Sequence, residues 1–597
     1  MSNKKAPLQG PITVKSAIPK NRQELLKWNG WGYKDSQFVV NEGPEVYFSG
    51  KRYLIGEVRL PHVAGWVRDT LNIDLGTQKP RKIQGLPTEN QYQKPNVTKD
   101  VMEKIASLGI SYSTKVIDRL LRSHGQTMHE IYKIQNSTYE RIPDVVLWPT
   151  CHDDVVKIVS FAHENNIVII AFGGGTSVSG APECPKNETR TIISLDTSQM
   201  NRILWIDDKN LVACFECGIV GQDMERELKK FGYTTGHEPD SYEFSTLGGW
   251  VATRASGMKK NMYGNIEDLV VQLKMVTAKG VLQKNCQVPR LSCGPDFNHI
   301  VMGSEGSLGI ITEVILKIRL LPKCKKYGSI VFPSFEKGFE FMREVAKRKW
   351  QPASIRLMDN EQFKFALMLK PESTYFGLVI DGIKKFYITN IKGFDPDHMC
   401  VMTLLFEGEE NEVKTNEKNL YKLSKSYGGY PAGEQNGERG YMLTFVIAYI
   451  RDLGLQYDVV AESFETSVPW DRALLLVKNV KKVVAEECRQ LKIKHYLINC
   501  RITQTYDAGC VIYFYLGFNH SGLGDPVTLH NRLETKARDE IVACGGSISH
   551  HHGVGKLRQK WYPATVSDVG VDLYFAAKRE LDPKNIFATN NLTKSKL

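Results

Sequence analysis

The sequence predicts an α+β protein with two large domains, and three observations support that fold class. Residues 143–180 have the pattern of a strand, a helix and a buried strand that continues into the glycine-rich stretch FGGGTSVSG. From residue 325 onward, short strands alternate with long amphipathic helices, which is typical of a largely antiparallel sheet covered by helices. The 597 residues and the 42% hydrophobic content are sufficient for more than one core.

The elements of the first large domain follow from local patterns. PDVVLWP and IVIIAF are apolar runs of strand length, and CHDDVVKIVSFAHENN between them has apolar residues at helical spacing. TIISLD, RILWIDD and LVACFECG are further strands, and the helix GQDMERELKKFG ends at Gly232. We expect this domain to cover residues 141–322, after a partly helical N-terminal extension at 1–140.

The second large domain is predicted to cover residues 323–565. GSIVFP, CVMTLLFEG, HYLINCRIT and GCVIYFYLGF are its strands, and FEKGFEFMREVAKRK and PVTLHNRLETKARDEIVAC are its helices. Residues 566–597 form a last helix and a tail. The alternation in GCVIYFYLGF places Val511, Tyr513 and Tyr515 on one face of that strand.

Composition narrows the class of protein. The formal net charge of +12 is spread along the chain, so it does not indicate nucleic-acid binding, although it suits an anionic substrate or membrane surface. No apolar run approaches the roughly 18 residues that a membrane span needs, and MSNKKAPLQG lacks the apolar core of a signal peptide. We expect the 12 cysteines to be reduced, with Cys214 and Cys217 in the core rather than in a metal site.

The chain ends in Ser595, Lys596 and Leu597. A C-terminal Ser-Lys-Leu is an address read by the peroxisomal import receptor. The tail therefore predicts a peroxisomal protein with that receptor as a partner.

Three stretches rich in glycine and hydroxyl residues lie in the first large domain. In FGGGTSVSG (172–180), four glycines allow close approach of the backbone, and the hydroxyls add donors suited to a pyrophosphate. The stretch is neither a Walker loop nor a Gly-x-Gly-x-x-Gly that opens a helix. Alone it would also fit an ordinary turn, but residues 236–264 and 303–314 have a similar composition, which favours a shared binding site.

These three stretches resemble the FAD-binding domain of the vanillyl-alcohol-oxidase-type flavoproteins. With PASIRLMDN, ESFETSVPWDR, TYDAGCVIYFY, SISHHHGVGK and LDPKNIFATNNL, the chain from KWNGWGY onward is similar to the branch of that family that makes ether lipids. The resemblance implies a two-subdomain FAD-binding domain with an α+β cap. It implies non-covalent FAD, because the glycine-rich stretch has no His or Cys for attachment.

The resemblance also implies which residues contact FAD. They are Phe172, Gly173, Gly174, Gly175, Thr176, Ser177, Val178, Asp240, Ser241, Tyr242, Glu243, Phe244, Ser245, Thr246, Thr253, Arg254, Ala255, Ser256, Glu305, Gly306, Ser307, Leu308, Gly309, Ile310 and Ile311.

The activity implied by the resemblance is a group transfer. The acyl chain of 1-acyl-dihydroxyacetone phosphate is exchanged for a long-chain fatty alcohol, giving 1-alkyl-dihydroxyacetone phosphate and a fatty acid. Reduced flavin N5 acts as a covalent nucleophile, with no net redox change. The resemblance further implies a homodimer, and we expect peripheral contact with the lumenal face of the peroxisomal membrane. The alternatives are an FAD-dependent 2-hydroxyacid dehydrogenase and a non-catalytic lipid- or flavin-binding protein.

Four residues outside the histidine run have roles implied by the resemblance. Arg451 would bind the phosphate, which a guanidinium matches in geometry, and Tyr513 would donate and accept protons. Arg356 and His237 fall on motifs linked to activity. From the residues alone, a surface arginine and a core tyrosine are the favoured interpretations of Arg451 and Tyr513. A phenol also needs a polarising neighbour to work at neutral pH, because its pKa is normally about 10.

SISHHHGVGK contains three consecutive histidines. If this run is extended, His550 and His552 face one side and His551 the other. A metal site is disfavoured, because no His-x-x-x-His helix or adjacent carboxylate accompanies them. Structural histidines are the alternative, and the resemblance favours a position near Tyr513 and the substrate, where they would tune protons and hold phosphate.

Overall fold

The computed structural model describes residues 10–43, 45–371 and 387–592. The Ser-Lys-Leu tail at 595–597 therefore lies outside the described residues. Within them, the strands form a four-stranded, a six-stranded and a seven-stranded sheet, together with smaller sheets of two and three strands. No helix in the described part of the chain is long and apolar enough to cross a membrane.

The four-stranded sheet contains the predicted β-α-β unit. Its strands, in spatial order, are Ser111–Ser113, Val145–Trp148, Ile192–Asp196 and Val168–Phe172. The last three run parallel, and the helix His152–Glu164 makes the crossover with its apolar stripe buried. Strand Val168–Phe172 ends directly at residues 172–180, which we call the glycine loop.

The six-stranded sheet is antiparallel. Its strands, in spatial order, are Ile12–Thr13, Arg202–Asp207, Val212–Glu216, Ile310–Lys317, Val270–Thr277 and Gly280–Gln283. Strands Tyr233–Thr234 and Arg319–Leu320 form the two-stranded sheet. The helices in this part of the chain are Gly221–Lys230, Leu247–Thr253, Lys260–Tyr263, Ile266–Leu269 and Asn298–Val301.

The seven-stranded sheet of the second domain is also antiparallel throughout. Its strands, in spatial order, are Tyr430–Pro431, Cys324–Phe332, Cys400–Gly408, Ser354–Met358, Tyr496–Thr505, Gly509–Asn519 and Val459–Pro469. The associated helices are Phe335–Lys347, Asn360–Met368, Glu410–Lys425, Glu434–Met442, Ile447–Gln456, Trp470–Gln490 and Pro526–Ala543. The predicted α+β class and the largely antiparallel sheet are confirmed.

The sheet separates a core from a cavity. Ile512 and Phe514 point into the largest apolar cluster, beneath the helices. Tyr513 and Tyr515 point to the opposite face, which lines the cavity. The alternation expected for this strand is therefore present. Helix Pro526–Ala543 is followed by Gly545, whose φ of +79° continues the chain into the histidine run.

The N-terminal segment packs against the second domain. It contains strands Phe38–Val40, Val46–Phe48 and Val58–Arg59 and helices Val63–Leu71, Lys99–Ser107, Val116–Leu121 and Met128–Asn136. Its aromatic side chains share an apolar cluster with helix Ile447–Gln456, and the backbone N–H of Trp31 donates to the Asp452 carboxylate at 2.6 Å. At the other end of the chain, the last helices are Tyr562–Val566 and Asp568–Leu581.

Candidate active site

A cavity of about 400 Å³ lies between the glycine loop and the seven-stranded sheet. One side, which we call the cofactor wall, consists of cavity-lining residues from the first domain. The predicted FAD residues that line it are Phe172, Gly173, Gly174, Gly175, Thr176, Ser177, Val178, Asp240, Ser241, Ser245, Thr246, Thr253, Ala255, Ser256, Glu305, Gly306, Gly309, Ile310 and Ile311.

The cofactor wall depends on close backbone packing. A Cβ on Gly174 would overlap the Phe244 carbonyl oxygen, so the glycine loop could not lie against residues 240–246 with any larger residue there. Gly249 and Gly306 also line the cavity. An added Cβ at these two positions would meet nothing closer than 3.5 and 3.6 Å, so their missing side chains leave room for a ligand.

Six predicted FAD residues lie outside the cavity lining. They are Tyr242, Glu243, Phe244, Arg254, Ser307 and Leu308. Burial raises the pKa of Glu243 to about 7, and Tyr53 donates a hydrogen bond to it. Arg254 forms a 3.5 Å ion pair with Glu267, and the hydroxyl of Ser307 contacts that of Tyr574. In this structure these residues support the wall from behind.

Tyr513 lies on the opposite side of the cavity and is only 5% exposed. Its hydroxyl oxygen is 2.5 Å from His552 Nε2 and 3.2 Å from His551 Nε2. Burial, with smaller contributions from Asp240 and other neighbours, raises the pKa of Tyr513 well above its usual value. The phenol is thus protonated at neutral pH and has two imidazole partners for its proton. We call Tyr513, His551 and His552 the histidine wall.

The three histidines do not form an extended strand, so the expected alternation of their side chains is wrong. Residues 547–556, the histidine loop, wrap around the carboxylate of Glu465, which is 1% exposed. That carboxylate accepts the backbone N–H groups of His550, His551 and His552 at 2.5, 3.3 and 3.0 Å. A chain that bends around one acceptor can direct two consecutive rings at Tyr513.

Glu465 also acts electrostatically on the loop. Burial alone raises its pKa, but the neighbouring histidines and Arg558 more than offset this and hold the pKa well below its usual range. Its Oε1 is 3.6 Å from His552 Nδ1. Burial lowers the pKa of His552 well below its usual value, so a neutral imidazole lies beside a carboxylate that can stabilise its protonated form.

His550 points away from the cavity and does not line it. Its Nε2 is 2.7 Å from the Tyr506 hydroxyl and its Nδ1 is 2.9 Å from His551 Nδ1. Burial, with a smaller effect of His551, lowers the pKa of His550 to about 3. Among the residues that the structure describes, no group of three or more His, Cys, Asp and Glu side chains is placed to hold a metal ion.

Arg451 lines the cavity, and its guanidinium is already engaged. It donates to the Gln126 carbonyl, to Gln126 Oε1 at 3.0 Å and to Asp452 at 3.0 Å. The Gln126 N–H in turn donates to Ser177 O in the glycine loop at 2.7 Å. The N-terminal segment therefore connects the predicted phosphate-binding arginine to the cofactor wall.

Arg356 and His237 lie behind the cavity lining. Arg356 donates to Thr444 Oγ1 at 2.7 Å, and Thr444 does line the cavity. The His237 ring lies 4.9 Å from that of Trp250, and neither ring nitrogen has a partner among the described residues. Burial lowers the pKa of His237 to about 3. Both residues are therefore better placed to support the cavity wall than to contact a ligand.

Sequence reasoning missed two charged residues beside Tyr513. Glu465 and Arg501 are its direct neighbours on the two adjacent strands. Arg501 lies 5.2 Å from the Tyr513 ring centroid and forms a 3.3 Å ion pair with Asp240 of the cofactor wall. A charged residue inside the apolar strand HYLINCRIT was the available signal, but strand register was needed to place it beside Tyr513.

The cavity fits a large polar cofactor. Asn499 lines it, and neither polar atom of its buried amide has a hydrogen-bond partner among the described residues. A buried amide without partners is costly unless a ligand supplies them. With the open glycine positions and the hydroxyls of the cofactor wall, this donor set suits a dinucleotide.

Family models identify the class. Residues 143–284 match the model of an FAD binding domain, and residues 321–592 match that of the C-terminal domain of FAD linked oxidases. The protein is thus an FAD-dependent enzyme that contains an FAD binding domain and the C-terminal domain of FAD linked oxidases, and FAD is its cofactor.

Comparison with individual relatives identifies the family within this class. The chain is 49% identical over 588 residues to an alkyldihydroxyacetonephosphate synthase of Caenorhabditis elegans, with 97% of each chain covered. A solved structure of an alkyldihydroxyacetonephosphate synthase superposes with a TM-score of 0.82 at 27% identity, covering 94% of this chain and 98% of that one. The chain therefore belongs to the alkyldihydroxyacetonephosphate synthase family. The 4-ethylphenol oxidase of Gulosibacter chungangensis shares the fold, with a TM-score of 0.62 at 15% identity over 84% of this chain and 99% of that one.

Proposed function

We propose that this chain exchanges the acyl group of 1-acyl-dihydroxyacetone phosphate for a long-chain fatty alcohol and so makes the ether-lipid precursor 1-alkyl-dihydroxyacetone phosphate. The observation that carries the proposal is the similarity to a synthase of that name over nearly the full length of both chains. The alkyl transfer needs a phosphate-binding cation, a proton donor and acceptor, and a cofactor site, and the cavity has residues suited to each.

The residues of the chain have separate tasks in this proposal. FAD, held non-covalently by the cofactor wall, supplies the nucleophilic N5 of the transfer without net redox change. Arg451 binds the substrate phosphate, which competes with Gln126 for the guanidinium. Tyr513 gives its proton to His552 and regains it later, and Glu465 stabilises the imidazolium formed in between.

Supporting tasks fall to residues outside the cavity lining. Arg356 positions Thr444, and His237 packs behind the cofactor wall. The domain division at residues 141, 323 and 566 is part of the same proposal. The cap then begins at residue 323, next to strand Cys324–Phe332, and the histidine loop belongs to it.

We further propose that the protein acts in the peroxisome. Its C-terminal Ser-Lys-Leu would bind the import receptor. The lipid substrates favour peripheral contact with the lumenal face of the membrane, and the family resemblance favours a homodimer. Flotation of the purified protein with anionic liposomes tests the membrane contact, and light scattering tests the dimer.

A direct assay tests the activity. The FAD-loaded protein is incubated with acyl-dihydroxyacetone phosphate and hexadecanol, and we expect alkyl-dihydroxyacetone phosphate together with free fatty acid. A 2-hydroxyacid dehydrogenase would instead bleach the flavin when a 2-hydroxyacid is added without oxygen. Bleaching without any exchange would overturn the proposal.

A further inference from the structure

The catalytic tyrosine is deeply buried, but a continuous line of hydrogen-bonding groups connects it to the outside. Tyr513 contacts His551, which contacts His550, which contacts Tyr506. The three distances are 3.2, 2.9 and 2.7 Å. Tyr506 is half-buried at the start of the turn that joins two strands of the seven-stranded sheet, and residues 507 and 508 after it are exposed.

One set of ring tautomers satisfies every bond in this line. The Glu465 carboxylate favours a hydrogen on His552 Nδ1, so His552 Nε2 accepts the Tyr513 hydroxyl. Tyr513 then accepts from His551 Nε2–H. It follows that His551 Nδ1 accepts from His550 Nδ1–H, and that His550 Nε2 accepts from the Tyr506 hydroxyl.

We propose that Tyr506 and His550 form the outer half of a proton relay to Tyr513. This inference deepens the proposed function and rests on it. The exchange needs such a path in both directions, because the departing carboxylate takes up a proton in the first half of the reaction and the alcohol gives up its hydroxyl hydrogen in the second half. One proton per turnover must therefore enter, and one must leave, a site whose tyrosine is 5% exposed.

Each step of the relay breaks one bond to hydrogen and forms another. When Tyr513 has given its proton to His552, the His551 Nε2 proton moves to the Tyr513 oxygen. The His550 Nδ1 proton then moves to His551 Nδ1, and the Tyr506 hydroxyl proton moves to His550 Nε2. Water replaces the proton of Tyr506, and His552 gives the proton that it received to the departing carboxylate. Every hydrogen of the line has then crossed its bond, so the same groups carry the alcohol's proton outward from Tyr513 to Tyr506 and water, and the starting tautomers return.

The surroundings of Tyr506 suit the outer end of a relay. The Lys260 ammonium lies 3.3 Å from the Tyr506 ring centroid, and Asn265 donates to the hydroxyl at 3.1 Å. The Asn265 hydrogen bond favours a transient negative charge on the phenol oxygen, against the burial that raises the pKa of Tyr506 to about 12. His550 remains neutral near pH 7, since burial lowers its pKa to about 3, so it can accept at one nitrogen while donating from the other.

Two substitutions at Tyr506 test the relay in the FAD-loaded protein. Tyr506→Phe should lower kcat roughly tenfold, a fraction of the total effect of acid–base catalysis, with FAD content and KM for the alcohol unchanged. Tyr506→Ala should be equally slow but should regain activity with added imidazole, because a small base can occupy the space of the ring. Tyr496→Phe, at the start of the strand that precedes Tyr506 and outside the relay, is the matched control and should keep the wild-type rate.

A second measurement does not depend on activity. Nitrogen-15 NMR of histidine-labelled holoprotein should find hydrogen on Nδ1 of His550, Nε2 of His551 and Nδ1 of His552. A different tautomer pattern overturns the relay, as does a Tyr506→Phe enzyme with the rate and solvent isotope effect of Tyr496→Phe. A slow Tyr506→Ala enzyme that imidazole does not accelerate also overturns it. Absence of exchange in the wild type would instead overturn the proposed function, while the tautomer pattern would still decide whether the relay exists.

Discussion

The two walls of the cavity present polar groups in different ways. The cofactor wall uses backbone groups and small side chains from a few continuous stretches, such as residues 172–178. The histidine wall uses side chains from segments far apart in sequence, and Glu465, Tyr513 and the histidine loop meet only because adjacent strands are in register. The first wall is therefore sensitive to added volume, and the second to the loss of single polar atoms.

The largest effect is expected from removing one hydroxyl of the histidine wall. Tyr513→Phe should lower kcat for the exchange by about 10²–10⁴-fold, because it removes the proton donor. FAD content, measured from the visible spectrum, should not change, since the cofactor wall is intact. Exchange at the wild-type rate would show that Tyr513 has no role in proton transfer.

The next largest effect concerns the support of the histidine loop. Glu465→Ala leaves the N–H groups of His550, His551 and His552 without their acceptor, and it should destabilise the protein by about 3–5 kcal/mol, as is typical for a broken buried charge interaction. Chemical denaturation measures this. Glu417→Gln, which breaks a more exposed pair with Lys326, is the control and should cost at most about 1 kcal/mol.

The cofactor wall should respond to one added methyl group. Gly174→Ala forces the glycine loop away from Phe244 and should cost about 1–3 kcal/mol, typical of overpacking, with loss of bound FAD. Gly570→Ala, where an added Cβ meets nothing closer than 3.5 Å, should retain FAD. Equal FAD content in the two variants would show that the close approach at Gly174 does not shape the site.

The smallest effects are opposite pH dependences of stability. The pKa of His237 is about 3 in the fold, below its unfolded value of about 6.5. The contribution of His237 to the free energy of unfolding is therefore complete above pH 6.5 and is lost as the pH falls toward 3. Burial raises the pKa of Glu305 from about 4.5 to about 7. The contribution of Glu305 to the free energy of unfolding is therefore complete below about pH 4.5 and is lost as the pH rises through 7.

Substitutions separate these two contributions. His237→Leu should flatten the dependence of unfolding free energy on pH between about 3 and 6.5, and Glu305→Gln should flatten it between about 4.5 and 7. Denaturant titrations at fixed pH measure both slopes. A slope that does not change in either variant would show that the corresponding group is not shifted in the fold.

Local patterns were enough to predict much of the first domain. The β-α-β unit depends on apolar runs of strand length and on the helical spacing of His152–Glu164, and both are visible in a short window. The glycine loop was recognised because glycines and hydroxyls are consecutive there. The conformation of the histidine loop was predicted incorrectly, because its bend is imposed by Glu465 from another strand.

The sequence by itself determined the fold class and the glycine-rich stretches, since each depends on residues that are neighbours in the chain. It marked Tyr513 and the three histidines as candidates only through the family resemblance of their motifs. Only the tertiary structure decided that Glu465 and Arg501 flank Tyr513, that Gln126 holds Arg451, and that His550 turns toward Tyr506. These contacts join residues that are tens to hundreds of positions apart, and strand register and loop closure decide which of them meet.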